Sequence, residues 1–260
     1  MANLAVIGGT GLDELLALDS GETRRVTTRF GSVDAIVGSL AGIELVFVPR
    51  HGMDHSVPPS LINYRAQIAG LKSLGVRRVV GVAAVGSLEP DSPAGSFAVL
   101  GDFIDLTKRR ADTFFDEPGK AVVHTDFTQP YCPEVSSALI EACAEEGVRF
   151  RNNAVYVGVE GPRYETPAEV KLYASWGGHV IGMTNVPEAA LAREAGLCYG
   201  AIAVVSNLAC GLSPTPLFHD DVRAAVAQAG ESLVGIIRRA LGGIPPTPRC
   251  LCAENTGLHL

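Results

Sequence analysis

Four short polar clusters each follow an apolar run, and each carries side chains suited to holding a small polar ligand. The first is Gly8-Gly9-Thr10-Gly11 after the run that starts at Leu4. A glycine turn at a strand end turns backbone N–H groups outward, so with the Thr10 hydroxyl it holds one anion or is simply a tight turn. A dinucleotide fingerprint would need glycine where Glu14 stands, and no Lys-Ser or Lys-Thr pair follows to make a triphosphate loop. The second cluster is Arg50, His51 and His55 in PRHGMDHSVPP. Arg and His beside an anion turn form a phosphate clamp; the alternative is structural imidazoles. Metal binding by His51 and His55 is disfavoured, because no helical pattern surrounds them and no Glu fills the slot of a zinc-protease helix. The third is Tyr164 and Glu165 in VEGPRYETPAEV. An aromatic face beside a carboxylate receives a flat heterocycle bearing N–H donors, or else the two are a surface Tyr and a Glu near a helix dipole. The fourth is Asn207, a satisfied buried amide or a ligand reader, with His219 twelve residues on. The chain has no G-x-S-x-G elbow, which excludes the commonest serine hydrolase arrangement.

The elements that position these clusters are legible from hydrophobic pattern. Apolar, β-branched runs begin at Leu4, Ile43, Arg77, Phe97, Asn153 and Ala201, and their continuous character predicts strands buried on both faces. Helical spacing appears at Leu61, Tyr64, Ile68 and Leu71 and again at Val135, Leu139 and Cys143. A further helix starts at Thr166, with Pro167 in the first turn, Glu169 completing a capping box and Gly177 beyond the last turn. A last long helix is expected from Asp220 and Asp221 through Val222, Val226, Leu233 and Ile237 to Gly242 and Gly243. Strands alternating with helices predict an α/β fold, one domain with a twisted, mixed, largely parallel sheet flanked by helices. In such sheets ligands sit at the carboxyl ends of strands, where all four clusters fall.

The 260 residues carry 47% hydrophobic and 19% charged side chains, with a formal net charge of −7. That balance buries a sizeable core and leaves no basic surplus for nucleic acid or anionic membrane, although a single phosphate remains within reach of a local site. The N-terminus lacks a cationic stretch before its apolar run, and no apolar segment approaches the ~20 residues of a membrane span, so the chain reads as cytoplasmic. Six cysteines in a chain of this length and compartment do not make a disulfide scaffold.

Taken together, nine strings resemble the purine nucleoside and methylthioadenosine phosphorylase family over nearly the whole chain. They are IGGTGLD; RHG with His55 beyond it; NYRA at Asn63–Ala66; AAVGSL at Ala83–Leu88; GDFIDLTKRR with TFF at Thr113–Phe115; HTDFTQPYCP at His124–Pro133; EGPRYETPAE; GMTNVPEAALAREAG; and VVSNLACG. The resemblance implies the nucleoside phosphorylase fold at residues 1–245, followed by a C-terminal tail at 246–260, and assembly as trimers or dimers of trimers. It also implies phosphorolysis of a purine nucleoside to free base and sugar 1-phosphate, with phosphate as co-substrate and no metal or organic cofactor. Carried over by position, Thr10, Arg50, His51, the Ala84 backbone N–H and Thr184 hold phosphate. Tyr64 and Met183 line the ribose, Tyr164 packs on the base, and His124 reaches a neighbouring subunit's pocket. Met53 departs from the Arg common in relatives, which weakens a phosphate role for His55.

The base edge points to the substrate. Relatives acting on 6-aminopurines carry two Asp where this chain has Asn207 and Ala209. A carboxamide donates to a 6-oxygen and accepts from a ring N–H, and Glu165 accepts from N1–H and a 2-amino group. His219 aligns with the histidine that oxopurine relatives use for the 5′-hydroxyl. The expectation is purine salvage from inosine and guanosine, with Asn207 and His51 carrying catalysis. The alternatives are methylthioadenosine or methylthioinosine phosphorolysis, a nucleoside hydrolase and a non-catalytic purine sensor. Cys250 and Cys252 form a C-x-C pair resembling one in some heat-resistant relatives, where it takes part in disulfide exchange; two reduced thiols on a mobile tail are the plainer expectation.

Overall fold

The apolar runs are strands, and they make up most of a nine-stranded sheet. The computed structural model describes residues 3–9, 12, 16, 18–119 and 122–254. Its strands are β1 (Leu4–Gly8), β2 (Ser20–Thr28), β3 (Gly31–Leu40), β4 (Ile43–Pro49), β5 (Arg78–Ser87), β6 (Phe97–Asp105), β7 (Phe150–Gly158), β8 (Val180–Gly182) and β9 (Cys198–Leu208). Strand order is β2-β3-β4-β1-β5-β8-β7-β6-β9, and β9 also pairs with β5, so β5, β8, β7, β6 and β9 close into a ring. The sheet is mixed as expected: β1 is parallel to β4 and β5, β5 to β9, and β7 to β6 and β8, while the other pairings are antiparallel. Closure into a ring was not anticipated.

Six α-helices cover the sheet among the described residues: α1 (Tyr64–Ser73), α2 (Pro133–Glu146), α3 (Pro167–Ser175), α4 (Asn185–Glu194), α5 (His219–Gln228) and α6 (Gly230–Gly243). The α3 start is as the sequence predicts: Thr166 Oγ1 accepts from the Glu169 N–H, and the Glu169 carboxylate accepts from the Thr166 N–H. The single long C-terminal helix is corrected to two helices broken at Ala229, just before Gly230, the residue least suited to carry a helix onward after Pro.

Two apolar layers hold the sheet. On one face α1 and α4 pack Ile68, Leu71, Val186 and Leu191 against Ile7, Val48 and Val79. On the other, α2 and α6 pack Val135, Leu139, Leu233 and Ile237 against Val6, Val80 and Ile202. Each such fully buried side chain contributes about 1.5–3 kcal/mol. The expectation of mobile tail thiols is corrected: Cys252 is buried in the second layer within a 3₁₀ turn, Leu251–Ala253, and the Arg249 N–H donates to Glu134 at 2.7 Å. Among the described residues no helix is long and apolar enough to cross a membrane.

Candidate active site

The C-terminal ends of β5, β8 and β9 and the segments that follow β1, β4, β7 and β8 surround one cavity of about 420 Å³, whose remaining wall comes from residues 55–59 and the start of α5. The sequence-predicted residues Arg50, His51, Ala84, Tyr164, Glu165, Met183, Thr184, Asn207 and His219 all line it, as does His55. The fold thus brings together positions as distant in sequence as Gly9 and Val222. Thr10 lies outside the described residues.

At one end, Arg50 follows β4 and is fully buried. Its Nε and Nη2 both donate to the Glu188 carboxylate on α4, the second at 3.1 Å, and Nη2 also reaches the Ile7 carbonyl at 3.3 Å. Burial favours a neutral guanidinium, but the Glu188 charge and its hydrogen bonds outweigh it and raise the Arg50 pKa, so the side chain stays cationic. Nη1 points toward Gly9, where an added Cβ would stand 2.9 Å from Nη1 and 3.2 Å from His51 Nε2. Glycine therefore leaves this cradle wide enough for an anion. The N-terminus of α4, beside Thr184, adds the positive end of a helix dipole to the same region.

His51 Nδ1 lies 2.8 Å from the Val57 carbonyl. A carbonyl only accepts, so Nδ1 carries the proton and Nε2 presents a lone pair on the Gly9 side. Burial and then Arg50 lower the His51 pKa to about 4, against the pull of the Val57 hydrogen bond. The ring is neutral near pH 7 and accepts from a ligand O–H.

At the other end, β9 bulges: Val85 registers with Val205 but Gly86 with Asn207, leaving Ser206 as an extra residue. The bulge turns Ser206 and Asn207 into the cavity. Asn207 Oδ1 accepts from the Ser206 hydroxyl at 2.7 Å and Nδ2 donates to the Leu208 carbonyl at 2.9 Å. A carboxamide has two lone pairs and two N–H donors, so one of each remains for a ligand. Glu165 is buried, and its Oε1 accepts from the Cys210 N–H at 3.1 Å, which leaves most of the carboxylate's acceptor capacity. Burial, with Glu165 next, raises the pKa of the neighbouring Tyr164 phenol, which stays neutral.

Residues 3–242 match the model of the phosphorylase superfamily. The chain belongs to that superfamily. It is 46% identical over 254 residues to a probable 6-oxopurine nucleoside phosphorylase from Moorella thermoacetica, with 98% of each chain covered. It is 39% identical over 252 residues to a probable S-methyl-5′-thioinosine phosphorylase from Methanosarcina acetivorans, covering 97% of this chain and 94% of the relative. Among solved structures, a methylthioadenosine phosphorylase from an Antarctic soil metagenomic library superposes with a TM-score of 0.90 at 34% identity, over 98% of this chain and 90% of that one.

Three expected site residues of this phosphorylase do not line its cavity. Ala209 is fully buried, its N–H donates to the Ser87 carbonyl, and it packs with Ile181 and Val157, so it supports the Asn207 end of the cavity from behind. Tyr64 is buried behind Pro59, whose carbonyl accepts its hydroxyl proton at 3.0 Å. His124 is exposed outside the cavity. Other residues were missed by sequence reasoning. Tyr199 donates to Glu188 at 2.7 Å, Asn185 donates to Tyr199 at 2.8 Å and Tyr131 to Asn185 at 2.6 Å, a buried chain that fixes the partner of Arg50. Arg110 donates to the Met183, Val159 and Glu160 carbonyls and to the Tyr64 hydroxyl, tying two cavity loops together. The available signal for Glu188 was its place in the apolar run NVPEAALA: an acid there needs a buried cation, and Arg50 needs an acid.

Proposed function

We propose that this phosphorylase cleaves 6-oxopurine nucleosides, inosine and guanosine, with inorganic phosphate to give the free base and ribose 1-phosphate. The observation that carries this reading is the hydrogen-bonding capacity left at the base end. Asn207 has one free N–H for a 6-oxygen and one free lone pair for a ring N–H, while Glu165 has lone pairs for N1–H and a 2-amino group. Adenine has no proton on N1 and an N–H₂ at position 6, so it leaves Glu165 and the Asn207 donor unpaired in a buried site, at a cost.

In the mechanism, phosphate rests on the Gly9 turn beside Arg50 Nη1 and the α4 N-terminus, with His51 Nε2 accepting from its O–H and Ala84 N–H and Thr184 completing the cradle. The N-glycosidic bond breaks toward an oxocarbenium-like sugar, and the phosphate dianion is both its counter-charge and its nucleophile. The protein's task is positioning, because no group of the chain needs to bond covalently to the sugar. The electron pair of the broken bond goes to the purine, where Asn207 donates to the developing negative charge. Met183 and His219 flank the ribose, His219 toward the 5′-hydroxyl.

A second reading, 5′-methylthioinosine, keeps the same base contacts. It is favoured by Val222, which lies three residues after His219 on the same face of α5 and offers an apolar surface to a methylthio group. We further propose a cytoplasmic homotrimer or dimer of trimers in which His124 of one copy serves the next copy's ribose end, with no nucleic acid or membrane partner. The base assignment is tested by Asn207→Asp. The carboxylate loses the donor to a 6-oxygen, so kcat/KM for inosine falls by about 10²–10³ and the inosine-to-adenosine ratio moves toward adenosine. An unchanged ratio removes Asn207 from base reading.

A further inference from the structure

Four of the six cysteines converge at a point the proposed reaction does not use. Cys132, at the N-cap of α2, Cys198, the first residue of β9, and Cys250 and Cys252 of the C-terminal segment bring their Sγ atoms within 4.8 Å of one another. Cys250 Sγ stands 3.4 Å from Cys198 Sγ and 3.7 Å from Cys132 Sγ. Three of the four residues are buried and the fourth is half-buried. We propose that these cysteines form a tetrathiolate site for a zinc-class metal ion, which pins the C-terminal segment to α2 and β9.

Three independent features carry this. The first is geometry: at a Zn–S bond of about 2.3 Å, the sulfurs of a tetrahedral site lie ~3.8 Å apart, close to the spacings seen, whereas a disulfide needs ~2.05 Å. All four sulfurs also lie within 4.8 Å of one another, as a shared central ion requires. The second is rigidity from separate elements. The Cys132 N–H donates to the Tyr199 carbonyl at 2.7 Å, fixing it beside Cys198, and the Arg249 N–H donates to Glu134, fixing the start of the C-x-C segment on α2.

The third is charge. Arg78 is 1% exposed, and none of its three guanidinium nitrogens has a hydrogen-bond partner among the described residues. It registers opposite Cys198 across the parallel β5–β9 pair, which places both side chains on one face of the sheet. A lone buried cation is costly, and four thiolates around a divalent ion carry a net −2 that offsets it; four thiols or two disulfides carry none. All-sulfur, tetrahedral ligation selects zinc or a comparably thiophilic ion over magnesium or calcium. Binding converts four thiols and Zn²⁺ to a zinc tetrathiolate with release of four protons, so affinity rises with pH. Cys198 and Asn207 stand at opposite ends of β9, ~30 Å apart at ~3.3 Å per residue, so the ion serves stability and takes no part in the chemistry at the cavity.

The test is metal titration of full-length protein, stripped with chelator and fully reduced, using Zn²⁺ and Co²⁺ as probes. The proposal expects one metal per subunit, thiolate-to-cobalt absorption typical of a tetrahedral sulfur site, and a raised melting temperature. It expects loss of that absorption in Cys252→Ser and its retention in Cys143→Ser, a buried thiol outside the cluster. Reduced wild-type protein that takes up no cobalt overturns the proposal, as does retention of the same spectrum in Cys252→Ser.

Discussion

The guanidinium of Arg50 is not the free counter-charge that an RHG string at a strand end suggests. Glu188 neutralises it from below, and what faces the cavity is the Nη1 amino group in a cradle of neutral donors and a helix terminus. A buried pair of this kind is far more sensitive to losing one partner than to losing both. Glu188→Gln therefore destabilises the protein by about 3–5 kcal/mol in denaturant unfolding, and removing only the Tyr199 hydroxyl by Phe costs about 1–2 kcal/mol. Equal effects would mean that the carboxylate's charge is not what holds Arg50. The pH behaviour of His51 belongs here too. Its folded pKa of about 4 lies below the ordinary 6.5, so the unfolded chain takes up a proton that the folded chain refuses. The His51 contribution is intact above pH 6.5 and is lost as pH falls toward 4, so stability declines across that window in wild type and declines less in His51→Asn. If neutral His51 accepts from phosphate, kcat/KM loses activity on the acid side with this low pKa once the titration of phosphate itself is subtracted; a break near 6.5 would contradict it.

Elements position these residues with differing legibility. The α3 start was readable because its signals are local: a capping Thr, a Pro in the first turn and a Glu at the third position leave little choice. That cap also anchors Tyr164 and Glu165, which immediately precede it. Thr166→Ala accordingly costs about 1 kcal/mol of stability and raises KM for the nucleoside more than it lowers kcat, as steady-state kinetics beside thermal unfolding would show. The β2–β3 hairpin was missed because β2 is exposed along most of its length and carries no apolar alternation, and β8 because three residues are too few for a pattern. The β9 bulge has no signature in the sequence, since the extra residue is defined only against the register of β5. Ser206 was accordingly overlooked while Asn207 was found. Ala209 was overread for the same reason: past the bulge, it points into the core instead of the cavity.

At the scale of the whole molecule, the closed ring of β5, β8, β7, β6 and β9 gathers Ala84, Val159, Met183 and Asn207 around one cavity, a relation that only long-range pairing creates. The family resemblance anticipated the residues gathered there without showing what braces them. The exposed His124 outside its own cavity fits service to a neighbouring copy: His124→Ala should leave the sedimentation coefficient unchanged and lower kcat/KM by about tenfold, ~1.4 kcal/mol. An unchanged kcat/KM would place His124 outside every active site. The central claim is that the buried donors and acceptors of this cavity select a 6-oxopurine nucleoside and use phosphate to cleave it. Its most direct test is kcat/KM for base release from inosine, guanosine, adenosine, methylthioadenosine and methylthioinosine, each with and without phosphate. The prediction is phosphate-dependent release with the 6-oxo substrates ahead of their 6-amino counterparts by about 10⁴-fold. Equal or better cleavage of methylthioadenosine, or full activity without phosphate, would contradict it.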